Sequence, residues 1–213
     1  ASNGVVIITT KKGTNDRLKV SVSSVNSIQT RTKEPEMLSR IQFVDVINSR
    51  GTAAQKALLG DASTDWNDQI YHTAFGTDHN ISISGRVASF MPIRVSIGYY
   101  NQDGLLLKDN AERMTGNISL TPSFFKDHLK IGLNAKGTLN NNRFGNNEAI
   151  WAASTYNPTL PIHSGDNTFG GYLEAIDVTG GLVNAAVRNP RGKVKQYNSE
   201  SDVKRFIGSA DID

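Results

Sequence analysis

Residue types able to do acid, base, nucleophilic or metal chemistry are thinly spread through this chain of 213 residues. His72, His79, His128 and His163 stand apart, with no HExxH and no pair at i, i+4, so the spacing a zinc site needs is missing. Asp61, Asp65 and Asp68 are close enough to suggest an acid pair or a cation site, but around Trp66 they read more simply as helix capping and solvated charge. The run Ser164-Gly165-Asp166-Asn167-Thr168-Phe169-Gly170-Gly171 resembles a ligand-cradling loop, yet it lacks the helix and lysine of a phosphate-binding loop and reads as a flexible turn. With no Cys, disulfide scaffolds and thiolate metal sites are excluded. No catalytic, cofactor-binding or metal constellation emerges, and a non-enzymatic role is expected.

Recognition chemistry is better represented. Trp151, Tyr156, Phe169 and Tyr172 are interleaved with Asn146, Asn147, Asn157 and Asp166. Aromatic faces offer apolar area, and side-chain amides and carboxylates supply donors and acceptors, a pairing suited to sugars. The competing reading is that these rings pack their loop against neighbouring structure.

The elements that must position these residues are strands. Leu18, Val20 and Val22 alternate with Lys19, Ser21 and Ser23; Ile81, Ile83 and Val87 with Asn80, Ser82, Ser84 and Arg86; and Ile93, Val95, Ile97 and Tyr99 with Arg94, Ser96, Gly98 and Tyr100. The pattern continues with Ile118 and Leu120 among Thr115, Asn117, Ser119 and Thr121, then with Leu129, Ile131, Leu133 and Ala135 among Lys130, Asn134, Lys136 and Thr138. Tight turns near Ser89 to Pro92 and Phe125 to His128 alternate with longer segments from Ile28 to Asp78, Gln102 to Glu112 and Asn140 to Glu200. Two helices are expected inside the first long segment. One carries Met37, Leu38, Ile41, Val44, Val46 and Ile47 and ends at Gly51; the other runs from Trp66 to about Thr73 behind Asp65 as N-cap.

No run of about 20 apolar residues exists, so a transmembrane helix is excluded, whereas a transmembrane barrel, whose strands need only about 10 alternating residues, is not. A formal charge of +3 with 20 acids interspersed gives no basic stripe and argues against nucleic acid. Alternation alone leaves two architectures open: a partial membrane barrel with its polar face toward a wet lumen, or a secreted antiparallel β-sandwich serving as an adhesin or carbohydrate-binding module. The chain opens without Met on Ala1-Ser2-Asn3-Gly4 and stops at Asp213 within an expected strand, and is read as a piece of something longer.

Specific segments favour the barrel. Ala1 to Gly13, with its continuous strand Val5-Val6-Ile7-Ile8-Thr9-Thr10, resembles the "ANGVVxITTKKG" end of the plug domain in TonB-dependent outer-membrane transporters. Met37 to Asn48, Thr64 to Ala74, Asn80 to Gly85, Ile93 to Leu106 and the Asn157-Pro158-Thr159-Leu160-Pro161 loop are similar, in the same order, to segments of the SusC/RagA group of nutrient importers. The resemblance implies an all-β fold with short loop helices: residues 1–14 ending the plug, and residues 15–213 forming about six strands of a barrel of about 22. It implies the outer membrane of a Gram-negative, Bacteroidetes-like cell as location. The implied partners are a SusD-like lipoprotein lid, the TonB complex, membrane lipid and an oligosaccharide or peptide substrate. The signal peptide, TonB box and most of plug and barrel would lie outside this chain.

The same resemblance orients the strands. Ile81, Ile83, Ile93, Val95, Ile97, Ile118, Leu120, Leu129, Ile131 and Leu133 would face lipid, Ser82, Arg94, Ser96, Asn117, Asn134 and Lys136 the lumen, and residues 29–79 and 140–200 the cell exterior. Tyr99, Phe90 and Phe124 would join an aromatic girdle. Trp151, Tyr156, Asn157, Asp166, Phe169 and Tyr172 would contact substrate or lid.

Overall fold

The computed structural model describes residues 17–213 apart from 34, 89, 127, 178 and 186, together with Gly4, Lys11 and Gly13. The expected closing strand of the plug, Val5 to Thr10, lies outside the described residues. The fold is an antiparallel meander: β1 (Lys19–Gln29), β2 (Ala74–Val87), β3 (Met91–Asp103), β4 (Asn110–Leu120), β5 (Ser123–Phe124), β6 (Leu129–Arg143) and β7 (Glu200–Ile212) form one seven-stranded sheet. β5 continues β4, because Leu120 pairs with Leu133 and Ser123 with Lys130 in one unbroken register. Pro122, which has no N–H to give, marks the interruption, while its carbonyl still accepts from the Ile131 N–H at 3.0 Å. Among the described residues β1 and β7 form the two edges and do not meet, so the sheet is open.

Register carries one apolar row to the next. Val20, Ile83, Val95, Ile118 and Ala135 are successive cross-strand partners, as are Gly85, Ile93, Leu120 and Leu133. Paired residues in an antiparallel sheet share a face, so all ten residues expected to face lipid stand on one side. That face is bare: Val22 is 70% exposed, Ile97 62% and Phe206 76%. The tilted rings of Phe90 and Phe124, 5.6 Å between centroids, close its lower end, and Tyr99 marks its upper rim. From Phe90 to Tyr99 the chain runs about 30 Å along the strand at about 3.3 Å per residue, or about 23 Å along an axis tilted by about 40°, which matches an apolar band of about 25 Å.

Several strands run past that band. β2 begins at Ala74 rather than Asn80, β4 at Asn110 rather than Thr115, and β6 ends at Arg143 rather than Leu139. These extensions put polar groups on both faces, as where Ser24 meets His79 at 2.9 Å, so they carry no alternation to read. The connection expected to be long between β3 and β4 shrinks accordingly to residues 104–109, and the two remaining long segments, 30–73 and 144–199, leave the sheet from that same upper end.

Those segments hold the helices. α1 (Arg40–Arg50) starts behind Ser39 in a capping box with Gln42, so Met37 and Leu38 precede the helix instead of belonging to it. α2 (Ala53–Ala57) has the same box between Thr52 and Gln55. α3 (Trp66–Ile70) is capped by Asp65, as expected, but stops short of Thr73. α4 (Glu148–Thr155) and α5 (Pro190–Gln196) belong to the second segment. None of the described helices is long and apolar enough to cross a membrane.

An open sheet with one bare apolar face and two unpaired edges has no stable aqueous form. Expressed without the rest of a barrel, this chain should pellet as aggregate and stay dispersed only in detergent; a monodisperse monomer in detergent-free buffer, seen by analytical ultracentrifugation, would contradict this account of the sheet.

Candidate functional site

The molecule's small core lies above the sheet, where the two long segments dock on one another. Trp66 and Ile70 of α3, Leu106 of the β3–β4 connection, Ala149 and Ala153 of α4 with Tyr156 at its C-terminal end, and Val194 of α5 are buried together. Ala149, Ala152, Ala153 and Tyr156 recur at the i, i+3, i+4, i+7 spacing of a helix with one packed face, which is why α4 forms there and which face it buries. Trp66 meets Tyr156 edge to face at 4.9 Å.

Polar ties fix this docking. The indole N–H of Trp66 donates to the Asn157 carbonyl at 3.0 Å, and Asn157 Nδ2 donates to the Leu58 carbonyl at 2.9 Å. Asn157 Oδ1 accepts from both the backbone N–H and the hydroxyl of Thr159, at 2.9 and 2.7 Å. Thr159 accepts from Gly60 N–H at 2.8 Å, and Thr64 donates its hydroxyl to the Leu160 carbonyl at 2.7 Å. The Asn-Pro-Thr-Leu-Pro loop is thus a clasp that holds residues 58–66. Ion pairs lie around it: Arg31 with Asp68 at 2.6 Å, and Lys193 with Glu148 at 2.6 Å, the latter holding the exposed Glu148 carboxyl below its ordinary range.

Below the clasp, Glu174 is buried with its carboxylate 3.1 Å from the Arg188 guanidinium and accepts from the Asn189 N–H at 2.9 Å. Fully buried Asn189 donates to the carbonyls of Ile162 and Leu173 and accepts from Gly192 N–H, capping α5. The Tyr156 hydroxyl donates to the Leu173 carbonyl at 2.8 Å; burial first, and then the Glu174 charge, push its phenol well above the ordinary range.

The six residues expected to contact substrate or lid divide here. Tyr156 and Asn157 serve the core and clasp and also line, together with Trp151, one concavity. Trp151 is 52% exposed and joins Phe43 and Ile47 of α1, Leu58 and Val187 around a concavity of about 450 Å³. Asp166 lies apart in a tight turn, where the N–H and hydroxyl of Thr168 hold its carboxyl below the ordinary range. Phe169 stacks under Arg188 at 5.1 Å, and Tyr172 stacks on His163 at 5.3 Å. Asp166, Phe169 and Tyr172 do not line the concavity that Trp151 lines. Asp65 caps α3, Asp68 pairs with Arg31, and Asp61 stands 4.0 Å from Arg40. Among the described residues no group of three His, Cys, Asp or Glu could hold a metal ion.

The six polar residues expected to line a lumen occupy one sheet face. Ser82, Ser96, Asn117 and Lys136 form one cross-strand row, with Arg94 and Asn134 in the row beside it. Arg94 donates to Ser82 at 3.2 Å and Asn117 to Ser96 at 3.3 Å. Lys11, ahead of β1, lies against this same face and shares a concavity of about 440 Å³ with Arg94, Asn117, Asn134 and Lys136. Gly13 follows so closely that a Cβ there would fall 2.6 Å from the Ile93 nitrogen. Lys11 thus lies on the polar face, and Gly13 lies against the backbone of β3. The helices that the sequence reading passed over carried signals: Thr52-x-x-Gln55 is a capping box, and Asn189-Pro190 is a cap followed by proline in the first turn.

Replacing Asn157 with Ala orphans the Leu58 carbonyl and the Thr159 donors and should destabilise the clasp by about 1–3 kcal/mol, read as faster proteolysis of residues 58–66. Trp151→Ala, at an exposed ring, should change stability by about 0.5 kcal/mol or less. The raised Tyr156 phenol retains a proton that the unfolded chain releases near pH 10, so clasp stability should fall as pH rises above about 10. Tyr156→Phe should flatten that alkaline limb in pH-dependent proteolysis.

No protein-family model matches the chain. It is 37% identical over 227 aligned residues to the TonB-dependent receptor SusC of Bacteroides thetaiotaomicron, an alignment covering 100% of this chain and 22% of SusC. It is 27% identical to the TonB-dependent receptor P3 of Formosa agariphila, over 79% of this chain and 17% of that protein. The chain therefore spans about a fifth of the length of the curated relatives it matches. Among solved structures, the RagAB peptide importer in its open-open state superposes with a TM-score of 0.60 at 21% identity, covering 96% of this chain and 27% of that one, a likeness of fold. A meander with one bare apolar face, long loops at one end and similarity to SusC along its whole length identify the chain as a segment of a SusC/RagA-like TonB-dependent receptor.

Proposed function

We propose that this chain is part of the barrel wall, with two long exterior loops and a short one between them, of an outer-membrane importer that moves a nutrient inward without altering it. The observation that carries this reading is the whole-length similarity to SusC combined with a sheet whose two faces suit two solvents, lipid outside and water inside. Residues 1–14 would end a plug seated in the lumen, a reading supported by Lys11 lying on the polar face. Import would be driven by TonB through that plug, and a SusD-like lipoprotein would close over the exterior loops, with the clasp presenting Trp151 and the exposed side of α1 toward it. The cargo we favour is an oligosaccharide, on the exposed aromatic ring and amides of the exterior loops, with a peptide, which the RagAB importer is named for, as the alternative.

The alternative, a secreted sandwich module, needs a second layer over the apolar face; the described residues supply none, and Ile97 and Val22 stay exposed.

The absence of Cys makes the orientation directly testable in the full-length receptor, once any Cys elsewhere has been replaced. With a membrane-impermeant maleimide on intact cells, Ser164→Cys in the segment 144–199 should label, and Phe125→Cys in the β5–β6 turn should label only after the outer membrane is opened. Labelling of Phe125→Cys in intact cells would reverse the topology and sink the proposal.

A further inference from the structure

The polar face is not merely wet; it is basic. Among its strand positions Lys19, Arg86, Arg94, Arg113, Lys136 and Arg205 outnumber Asp78 and Asp211, although the chain as a whole is nearly balanced at +3. Three of these cations, Arg113, Lys136 and Arg205, line one concavity of about 510 Å³ together with Tyr100, Asn80, Thr115, Thr138 and Asn140, and Asp78 is its one carboxylate. Arg113 does not pair with Asp78. The Tyr100 side chain stands between them in the cross-strand row, with the guanidinium over its ring at 5.0 Å. Stacking fixes the position of a planar cation while leaving its N–H edge free for a bidentate acceptor. No described carboxylate lies within ion-pairing distance of Arg113, Lys136 or Arg205.

Their placement in the sheet sets a span. Arg205 pairs with Thr138 and Arg113 with Asn140, so β6 lies between them, and strand spacing of about 4.8 Å puts the two guanidinium-bearing strands about 10 Å apart. Lys136 sits on β6 itself, diagonal to Arg205. Like charges held this near repel one another, and a bound anion relieves that repulsion. The Tyr100 ring and the amides and hydroxyls of Asn80, Thr115, Thr138 and Asn140 complete a surface that would contact a pyranose ring through its apolar face and its hydroxyls.

We infer that this concavity is a station on the import path for an anionic oligosaccharide, one bearing carboxylate or sulfate groups, with Arg113, Lys136 and Arg205 as its anion-binding residues. The inference rests on the importer reading, since it requires the polar face to line the lumen. It names a charge class of cargo, which the likeness to SusC does not.

The test uses the full-length receptor purified in detergent, with binding followed calorimetrically for trigalacturonate, a sulfated chondroitin disaccharide, neutral galactotriose and hexaglutamate. Trigalacturonate or the sulfated disaccharide should bind at least about tenfold more tightly than galactotriose, and the preference should vanish at 1 M salt, where the screening length is about 3 Å. Which of the two binds better distinguishes carboxylate from sulfate recognition. Lys136→Gln, an exposed position on a strand face, should cut the preference about threefold, and the Arg113→Gln, Lys136→Gln, Arg205→Gln combination should abolish it; the salt titration of the unaltered protein needs no variant to fold. Equal binding of charged and neutral sugars would overturn this inference and leave import intact. A preference for hexaglutamate over both charged sugars would overturn the oligosaccharide assignment. Binding of none of these probes would overturn this inference alone; the importer reading falls separately, if Phe125→Cys labels in intact cells.

Discussion

A slip of one residue in a strand pairing would carry that strand's whole apolar set to the polar face: Ile97, Ile118 or Leu133 would stand where Ser96, Asn117 or Asn134 now do. Register is therefore the constraint on which the rest of the molecule depends. In a hydrocarbon layer it is enforced twice, because every backbone N–H and C=O in the band must find its partner within the sheet and every outward side chain must tolerate lipid. The continuous ladder meets the first demand everywhere but along the outer edges of β1 and β7, which the rest of a barrel would pair. The unbroken Ile, Val and Leu rows satisfy the second. Even the proline that interrupts β4 and β5 preserves register, since its carbonyl still reaches Ile131.

The clasp is the second level of order, and it follows from the first. A meander delivers both long segments to the same end of the sheet, so two stretches far apart in sequence are brought side by side and can share a core. That core is small, and its specificity comes from hydrogen bonds rather than volume: Asn157, Thr159 and Asn189 each satisfy several backbone groups that would otherwise be buried without partners. Rigid loops of this kind present a fixed surface to whatever closes over them. α1, which contributes no buried residue, is the least anchored part of it.

Much of the sheet was legible from period 2 alone, because within the band one face must be apolar and the other need not be. Legibility failed where that contrast fails. Phe75 to His79, Asn110 to Arg113 and Asn140 to Arg143 are strand residues whose two faces both see water, so nothing in their polarity marks them. Trp66 and Asp65 announced α3, whereas α4 and α5 are short, of 8 and 7 residues, and too brief for a helical period to stand out in the sequence. In the clasp the same chemistry also serves packing: Tyr156 and Asn157 have the residue types of a sugar site, and they hold the core while lining the concavity beside Trp151. The basic concavity was invisible in sequence because Arg113, Lys136 and Arg205 come from β4, β6 and β7, and only pairing brings them onto one patch.

Everything argued for this chain requires that the two faces of one sheet meet different solvents. The most direct test is a nitroxide scan of residues 93–99 of β3 in the full-length receptor reconstituted into liposomes, comparing collisions with oxygen, which concentrates in lipid, against a water-soluble nickel chelate. The account predicts opposed oscillations of period 2, with oxygen contact greatest at 93, 95 and 97 and nickel contact greatest at 94, 96 and 98. A profile in which both faces collide equally with the nickel chelate would place the sheet in water and contradict the barrel wall outright.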